Sequence, residues 1–316
     1  MTRMGGGVRG LRRERGAVGI AEGARPVCGP DDVRLEVVCV GVCRTDVYVA
    51  EGRIPVPEGR VLGHEVCGVV RETGASTRGW APGDAAIVMP SIACGRCDGS
   101  GCLAPQMLGI DRDGAFADQV VVPARALHRP RGLPMRLAAY AEPMAASMAV
   151  LDLDLPREGR GVVLGAGRIA TLTLRVLRDA GFTSVTMHGP RDGRLERGGF
   201  DFVIETAATA ETLAVALAAL RCGGTLVLKS RPHAPVPLDV AAAVQRRARI
   251  VAARYAEMDA AIALMRRAPE LVADLLGPVL SLEAFDVAFA SREDTKTFLT
   301  PLDDPQAVWA RARGGA

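Results

Sequence analysis

A chain of 316 residues, 49% of them apolar, can bury a sizeable core; this excludes a disordered or tail-like protein and favours two domains. The net charge of +3 is small, and Lys229 and Lys296 are the only lysines, so arginines interleaved with acids carry the positive charge and form no stripe for nucleic acid. The N-terminal segment has no apolar export core, and the apolar stretch Ala139–Leu155 is broken by Glu142, Asp152 and Asp154, so a cytoplasmic protein with reduced thiols, outside any membrane, is expected.

In chain order, the basic run Arg9–Arg15 reads as a solvated hairpin edge. Residues 30–130 read as short β segments with turn punctuation. Val33–Val37 alternates at period two, Val66–Arg71 and Ala85–Met89 are short apolar runs, and a strand is expected over Phe116–Val122. Turns are marked by Pro82-Gly83-Asp84 and Asp111–Gly114, and this spacing suits an antiparallel barrel or sandwich.

Near residue 150 the pattern changes. Gly161–Leu164 is a buried-strand run, followed by a glycine turn and a helix through Ala180 that Gly181 caps. Strands are expected at Ser184–His188, Phe200–Glu205, Thr225–Lys229 and Ala248–Arg254. Helices are expected over Glu211–Arg221, stopped by Gly223-Gly224, and over Asp239–Arg247. Alternating strand and helix predicts a parallel, doubly wound sheet. Eleven residues separate His188 from Phe200, too few for a crossover helix and another parallel strand, so the sheet is abbreviated by one unit. The remainder reads as helices over Ala256–Arg267 and Leu282–Ala290, then a strand near Thr297.

The chemistry-bearing residues fall in two groups. Cys43, His64, Glu65 and Glu142 offer a thiolate, an imidazole and two carboxylates, a donor set for one catalytic zinc ion that keeps a position open for substrate. Such an ion polarises an alcohol oxygen, and the alkoxide then expels hydride. Two carboxylates lessen the net positive charge, which marks Glu65 or Glu142 as an exchangeable or indirect ligand. Thr45 offers a hydroxyl to pass the alcohol proton on, and Tyr48 stands where it either extends that relay or packs.

The second group is Gly165-Ala166-Gly167-Arg168-Ile169-Ala170, between a strand and a helix. Gly165 makes the tight turn, Gly167 admits a pyrophosphate, and Ala170 allows close packing. Where an acid would hold the ribose hydroxyls of NAD, the second strand ends in His188-Gly189-Pro190-Arg191; Arg191 and Arg194 suit a 2′-phosphate, which favours NADP(H) over NAD(H). Cys94, Cys97 and Cys102 supply three thiols where a closed structural zinc takes four ligands, with Asp98 as the available fourth. Cys28, Cys39, Cys67 and Cys222 read as buried apolar residues.

Together these motifs resemble the zinc-dependent medium-chain dehydrogenase/reductase family of alcohol, sorbitol and threonine dehydrogenases. The resemblance rests on Cys43-Arg44-Thr45-Asp46, Leu62–Glu65, Pro82–Asp84, Gly114–Ala117, Glu142-Pro143, Gly165–Ala170 and Gly223–Val227. It implies an α/β fold: a GroES-like β-barrel catalytic domain over 1–148, to which 256–316 returns, and an abbreviated Rossmann domain over 149–255. It also implies an active site in the cleft between them. Cys43, His64 and the glutamates match the catalytic-zinc positions, and Thr45 the relay hydroxyl. Arg44 and Lys296 match cationic positions that reach the pyrophosphate, and strand Ala248–Arg254 an edge that pairs in homodimers; a homodimer or homotetramer is implied. The implied activity is NAD(P)-linked oxidation of a secondary alcohol, of polyol, sugar or cyclitol type, or the reverse reduction of the ketone. A metal-free reductase of another substrate class and a non-catalytic binding subunit are the alternatives.

Overall fold

A computed structural model describes residues 7–95, 97 and 102–314. They divide into two compact units: one runs to Glu142 and takes in Ile262–Ala268 and everything from Ala273 onward, and the other is Pro143–Ala261 with Pro269–Val272.

In the first unit, β1 (Val8–Glu14) and β2 (Ala17–Gly23) form a hairpin, and the basic run Arg9–Arg15 lies on it as expected. Then come β3 (Asp32–Gly41), α1 (Arg44–Ala50), β4 (Arg60–Val61), β5 (Glu65–Thr73) and β6 (Ala85–Val88). Next are β7 (Ser91–Ile92), β8 (Gln106–Met107), β9 (Gln119–Pro123), β10 (Leu127–His128) and α2 (Met135–Ala139). Helix α3 (Ala141–Met148) runs across the boundary. The main sheet is centred on β3, which pairs with β5 along one side and with β9 and a C-terminal strand on the other. β3 alternates apolar and charged residues over Val33–Val37 and turns continuously apolar from Val37 to Val40, where it is buried throughout. Val33, Leu35, Val37 and Val40 lie in one core cluster with Leu11, Val66 and Phe116.

The second unit holds β11 (Gly161–Leu164), α4 (Arg168–Asp179), β12 (Val185–His188), β13 (Phe200–Glu205) and α5 (Ala210–Ala219). It continues with β14 (Leu220–Leu228), α6 (Val240–Gln245), β15 (Arg249–Ala252) and the start of α7 (Met258–Arg267). All five strands are parallel, in the order β12-β11-β13-β14-β15. Ala170, Leu174 and Leu177 of α4 pack on one face of the sheet, and Leu213, Ala216 and Leu217 of α5 on the other. This is the doubly wound α/β arrangement, and among the described residues no strand pairs with the outer edge of β12. The eleven-residue link to β13 leaves no room for one.

The chain then re-enters the first unit through β16 (Leu276–Ser281), α8 (Phe285–Ala290), β17 (Lys296–Thr300) and α9 (Pro305–Arg311). β17 lies between β16 and β3 in the main sheet. Several boundaries differ from expectation. The strand foreseen from Phe116 starts at Gln119, because the amides of Ala115 and Phe116 are spent on the carbonyls of Gly63 (2.9 Å) and Leu62 (2.8 Å). Helix α5 stops at Ala219, because Leu220 is already extended and pairs with Phe200. The helix expected over Leu282–Ala290 is a 3-10 turn, Leu282–Ala284, followed by α8. Strand β16 escaped notice because Gly277 and Pro278 interrupt it, at a register shift between Leu276 and Val279.

Asp84 fastens the C-terminal segment. Its carboxylate accepts from Arg313 Nε at 2.8 Å and from the amide of Ala81 at 3.0 Å, and lies 3.0 Å from Arg129 Nη2. Burial raises the Asp84 proton affinity, but these donors outweigh it and hold the carboxyl below the ordinary aspartate value of 3.8. A carboxylate so depressed stabilises the fold above that value, and the contribution is lost as pH falls through the lower folded value. Asp84→Asn is therefore expected to cost about 1–3 kcal/mol at pH 7. Urea titrations at a series of pH values should show that difference shrinking below 3.8.

Candidate functional site

The first cluster is organised by a helix cap. Cys43 is the N-cap of α1, and Asp46, three residues on, receives the Cys43 amide at 2.9 Å through Oδ2. The other oxygen, Oδ1, accepts from the amide of Gly63 at 3.2 Å and lies 3.3 Å from His64 Nδ1. One buried carboxylate thus ties the thiol's backbone to the imidazole's. Gly63 has φ +97°, and a Cβ there would meet Phe116 at 2.8 Å, so only glycine delivers the chain into β5 at this angle.

The ligand atoms of Cys43, His64 and Glu65 all lie within 4.8 Å of one another. His64 Nδ1 has no well-aligned hydrogen-bond partner despite its 3.3 Å approach to Asp46. Burial pulls the imidazole's proton affinity down; Asp46 and Cys43 outweigh it and leave His64 well above its ordinary value. The pocket thus draws positive charge, and its donors fit a divalent, borderline-soft cation.

Glu65 departs from the sequence reading in one respect. Both its oxygens accept from Lys296 Nζ at 2.6 Å, across β5 and β17, with the two side chains 1% and 4% exposed. Burial raises the Glu65 carboxyl's proton affinity, Lys296 opposes this, and Glu142 adds to the rise. Lys296, expected at a pyrophosphate, has its ammonium buried on this carboxylate, and a buried cation is tolerated where a carboxylate neutralises it. Glu142, in the first turn of α3, is also buried, but its oxygens stand outside the group of three.

Thr45 is half-buried in the first turn of α1, and Arg44 beside it is exposed. Tyr48 packs against the core, with the Arg53 guanidinium 4.0 Å from its ring centroid. Asp46 is the residue to which the sequence reading gave no role, although its position three after Cys43 is a capping signal.

The second cluster is the turn between β11 and α4. Gly165 has φ +138°, and a Cβ there would collide with the Thr206 hydroxyl. Gly167 is the N-cap of α4; no side chain caps the helix, and nothing lies within 4 Å of where a Cβ would be. The first-turn amides and the open face at Gly167 make a cradle for an anionic group. Arg168 and Ile169, half-buried, open the helix, and Ala170 is buried against the sheet. His188 ends β12, and the nearest acid, Asp192, turns back to accept the Gly189 amide at 2.7 Å, leaving Arg191 and Arg194 exposed.

Cys94, Cys97 and Cys102 also gather, with ligand atoms within 4.8 Å of one another. The Cys94 and Cys97 sulfurs are 3.5 Å apart, and the Cys94 amide donates to the Cys102 sulfur at 3.2 Å. Asp98, the expected fourth ligand, lies outside the described residues. Cys39 and Cys67 are buried as foreseen, and burial pushes both thiols up; Cys28 is half-exposed. Cys222 is exposed, because it precedes the point at Thr225 where β14 settles into its register beside β13.

Residues 29–133 match the model of the alcohol dehydrogenase GroES-like domain. The chain is 32% identical over 196 residues to the L-threonine 3-dehydrogenase of Pyrococcus abyssi, covering 57% of this chain and 56% of that protein. It is 31% identical over 204 residues to the sorbitol dehydrogenase of Halalkalibacterium halodurans, covering 60% of each. The matched region thus spans little more than half the length of these relatives. Among solved structures, a protein from Sinorhizobium meliloti described as a zinc-binding dehydrogenase bound to NADP is similar at TM-score 0.82 and 27% identity, over 94% of this chain and 100% of that one. The 2R,3R-butanediol dehydrogenase of Bacillus subtilis shares the fold at TM-score 0.80 and 21% identity, over 93% of this chain and 100% of its own.

Removing one partner of the Glu65–Lys296 pair leaves the other buried and unneutralised. Lys296→Ala is expected to cost about 3–5 kcal/mol in urea unfolding. The double variant Glu65→Gln/Lys296→Met should lose distinctly less, a non-additivity that a double-mutant cycle measures directly.

Proposed function

We propose that this chain, a member of the medium-chain dehydrogenase/reductase family, is a zinc-dependent dehydrogenase that transfers hydride between a secondary alcohol and a nicotinamide cofactor. The observation that carries the reading is the convergence of Cys43, His64 and Glu65 within 4.8 Å, a mixed sulfur, nitrogen and oxygen set rather than a closed thiolate cage. Cys43 and His64 are the residues that hold the ion, with carboxylate oxygen from Glu65 or Glu142. When bound, a divalent cation supplies Lewis-acid polarisation of the alcohol oxygen.

The chain's own residues do the rest. Asp46 fixes the Cys43 backbone and stands beside His64, so the two ligands arrive pre-organised. Lys296 holds Glu65 by both oxygens, which restrains that carboxylate and tempers the charge the ion meets. The Thr45 hydroxyl takes up the alcohol proton and passes it outward. In the second unit, Gly165, Gly167 and the α4 amides receive the pyrophosphate. Arg44 is assigned to the same pyrophosphate as a cationic contact.

The preferred cofactor is NADP(H). Asp192 accepts the Gly189 amide of its own loop through Oδ2, while Arg191 and Arg194 are exposed for a 2′-phosphate. The names of relatives point to substrates with neighbouring polar groups: threonine, sorbitol, and 2-dehydro-3-deoxy-L-galactonate in the case of a Pseudoalteromonas atlantica protein 34% identical over 179 residues. A polyol, sugar or cyclitol alcohol is the assigned class. We assign the working form as a cytoplasmic homodimer. β15 ends the sheet with Ile250 exposed, and Val240 and Val244 of α6 are exposed as well. No helix among the described residues is long and apolar enough to cross a membrane.

Elemental analysis of the purified protein should find zinc, and Cys43→Ser and His64→Ala should each abolish turnover and the activity-linked metal while circular dichroism stays native-like. Full turnover in a metal-stripped sample would refute the mechanism and favour a metal-free reductase. Arg191→Ala should weaken NADPH binding about tenfold and leave NADH nearly unchanged, as loss of one charge-assisted contact predicts. Equal loss for both cofactors removes the case for NADP.

A further inference from the structure

The abbreviated sheet bears on how the far end of a cofactor is recognised. A dinucleotide enters a doubly wound sheet at the carboxyl ends of its strands, with the pyrophosphate at the first glycine turn and the adjoining ribose at the end of the second strand. Here those points are Gly165–Gly167 after β11 and His188 at the end of β12. The nucleoside runs outward from β11 across β12. With neighbouring strands about 4.8 Å apart, its base projects beyond β12, where a third strand and its helix would form the wall.

This chain has no such wall among its described residues. β12 is the last strand on that side, and Thr186 and Met187 on it are exposed. The link from Gly189 to Gly199 follows β12 directly, and it carries one large apolar side chain, Leu195. Leu195 is committed elsewhere, packed against the core cluster of Phe200, Leu213 and Leu217. Asp192 is likewise spent on the Gly189 amide. The exposed side chains of the loop are Pro190, Asp192, Glu196 and the guanidinium groups of Arg191, Arg194 and Arg197, with Glu196 paired to Arg160. Guanidinium groups bind phosphate by charge and stack on any base, and neither contact depends on which base is present.

We propose that this chain, given the cofactor assignment above on which the inference rests, recognises its dinucleotide by pyrophosphate and 2′-phosphate and is indifferent to the purine base. Full-length protein is titrated by calorimetry with NADPH, with the hypoxanthine analogue of NADPH and with the 1,N6-etheno analogue. Both analogues alter the adenine edge and leave the phosphates intact. Dissociation constants for all three agreeing to within about fivefold, less than a lost base-specific hydrogen bond and its stranded partner cost, support the proposal. A loss beyond fivefold for either analogue, with NADPH binding normally, overturns it and leaves the cofactor assignment standing. If neither NADPH nor NADH gives a binding signal, the assignment itself falls, and this inference with it.

Discussion

The carboxylate of Asp46 is the point at which Cys43 and His64 are tied together. It is 2% exposed and meets three groups from two segments: the Cys43 amide, the Gly63 amide and the His64 ring. A buried carboxylate is stable when its lone pairs are taken up, and here the partners are the groups whose positions matter for chemistry. The strained turn at Gly63 and the close approach of Phe116 fix the rest of the His64 geometry. Cys43 and His64 are therefore placed by a cap and a turn, while Glu65 is placed by the pairing of β5 with β3 and by Lys296.

A second electrostatic constraint sits behind the first. Glu65, Glu142, Asp46, His64 and Lys296 are all buried in the first unit, a concentration of ionisable groups that an apolar core excludes. Lys296 neutralises Glu65 directly, and Asp46 and Cys43 raise the proton affinity of His64 against its burial. The remaining acid, Glu142, makes its presence felt on Glu65. Clusters of this kind lower stability relative to a hydrophobic filling and persist where function requires them.

The sequence exposed the architecture through period and punctuation. The strand–glycine–helix pattern at Gly161–Asp179 and the short link after His188 were legible because each is local. Cys43, His64 and Glu65 could be grouped by residue type, but their proximity depends on pairing between β3 and β5, which no local pattern encodes. The pairing of Lys296 with Glu65 was not legible for the same reason: the two are 231 positions apart. β16 was hidden by its own glycine and proline. α9 had a readable start, Asp304 before Pro305, with Asp304 Oδ1 accepting the Ala307 amide at 2.9 Å, but its helical stretch is too short for periodicity to register. Asp46 was visible as a capping residue and carried no chemical label.

The insertion of β17 between β3 and β16 has a bearing on synthesis. A ribosome delivers β3 and β5 early and β16 and β17 only after the whole parallel sheet has been made, so the N-terminal unit emerges lacking the two strands that complete one end of its main sheet. Until then the flank of β3 at Val40 and Gly41 is unpaired and the Glu65 side chain lacks its counterion. Nascent domains ordinarily consolidate in the order they are translated. This one reverses the order, with the middle of the polypeptide able to settle first while the leading segment waits on the trailing one.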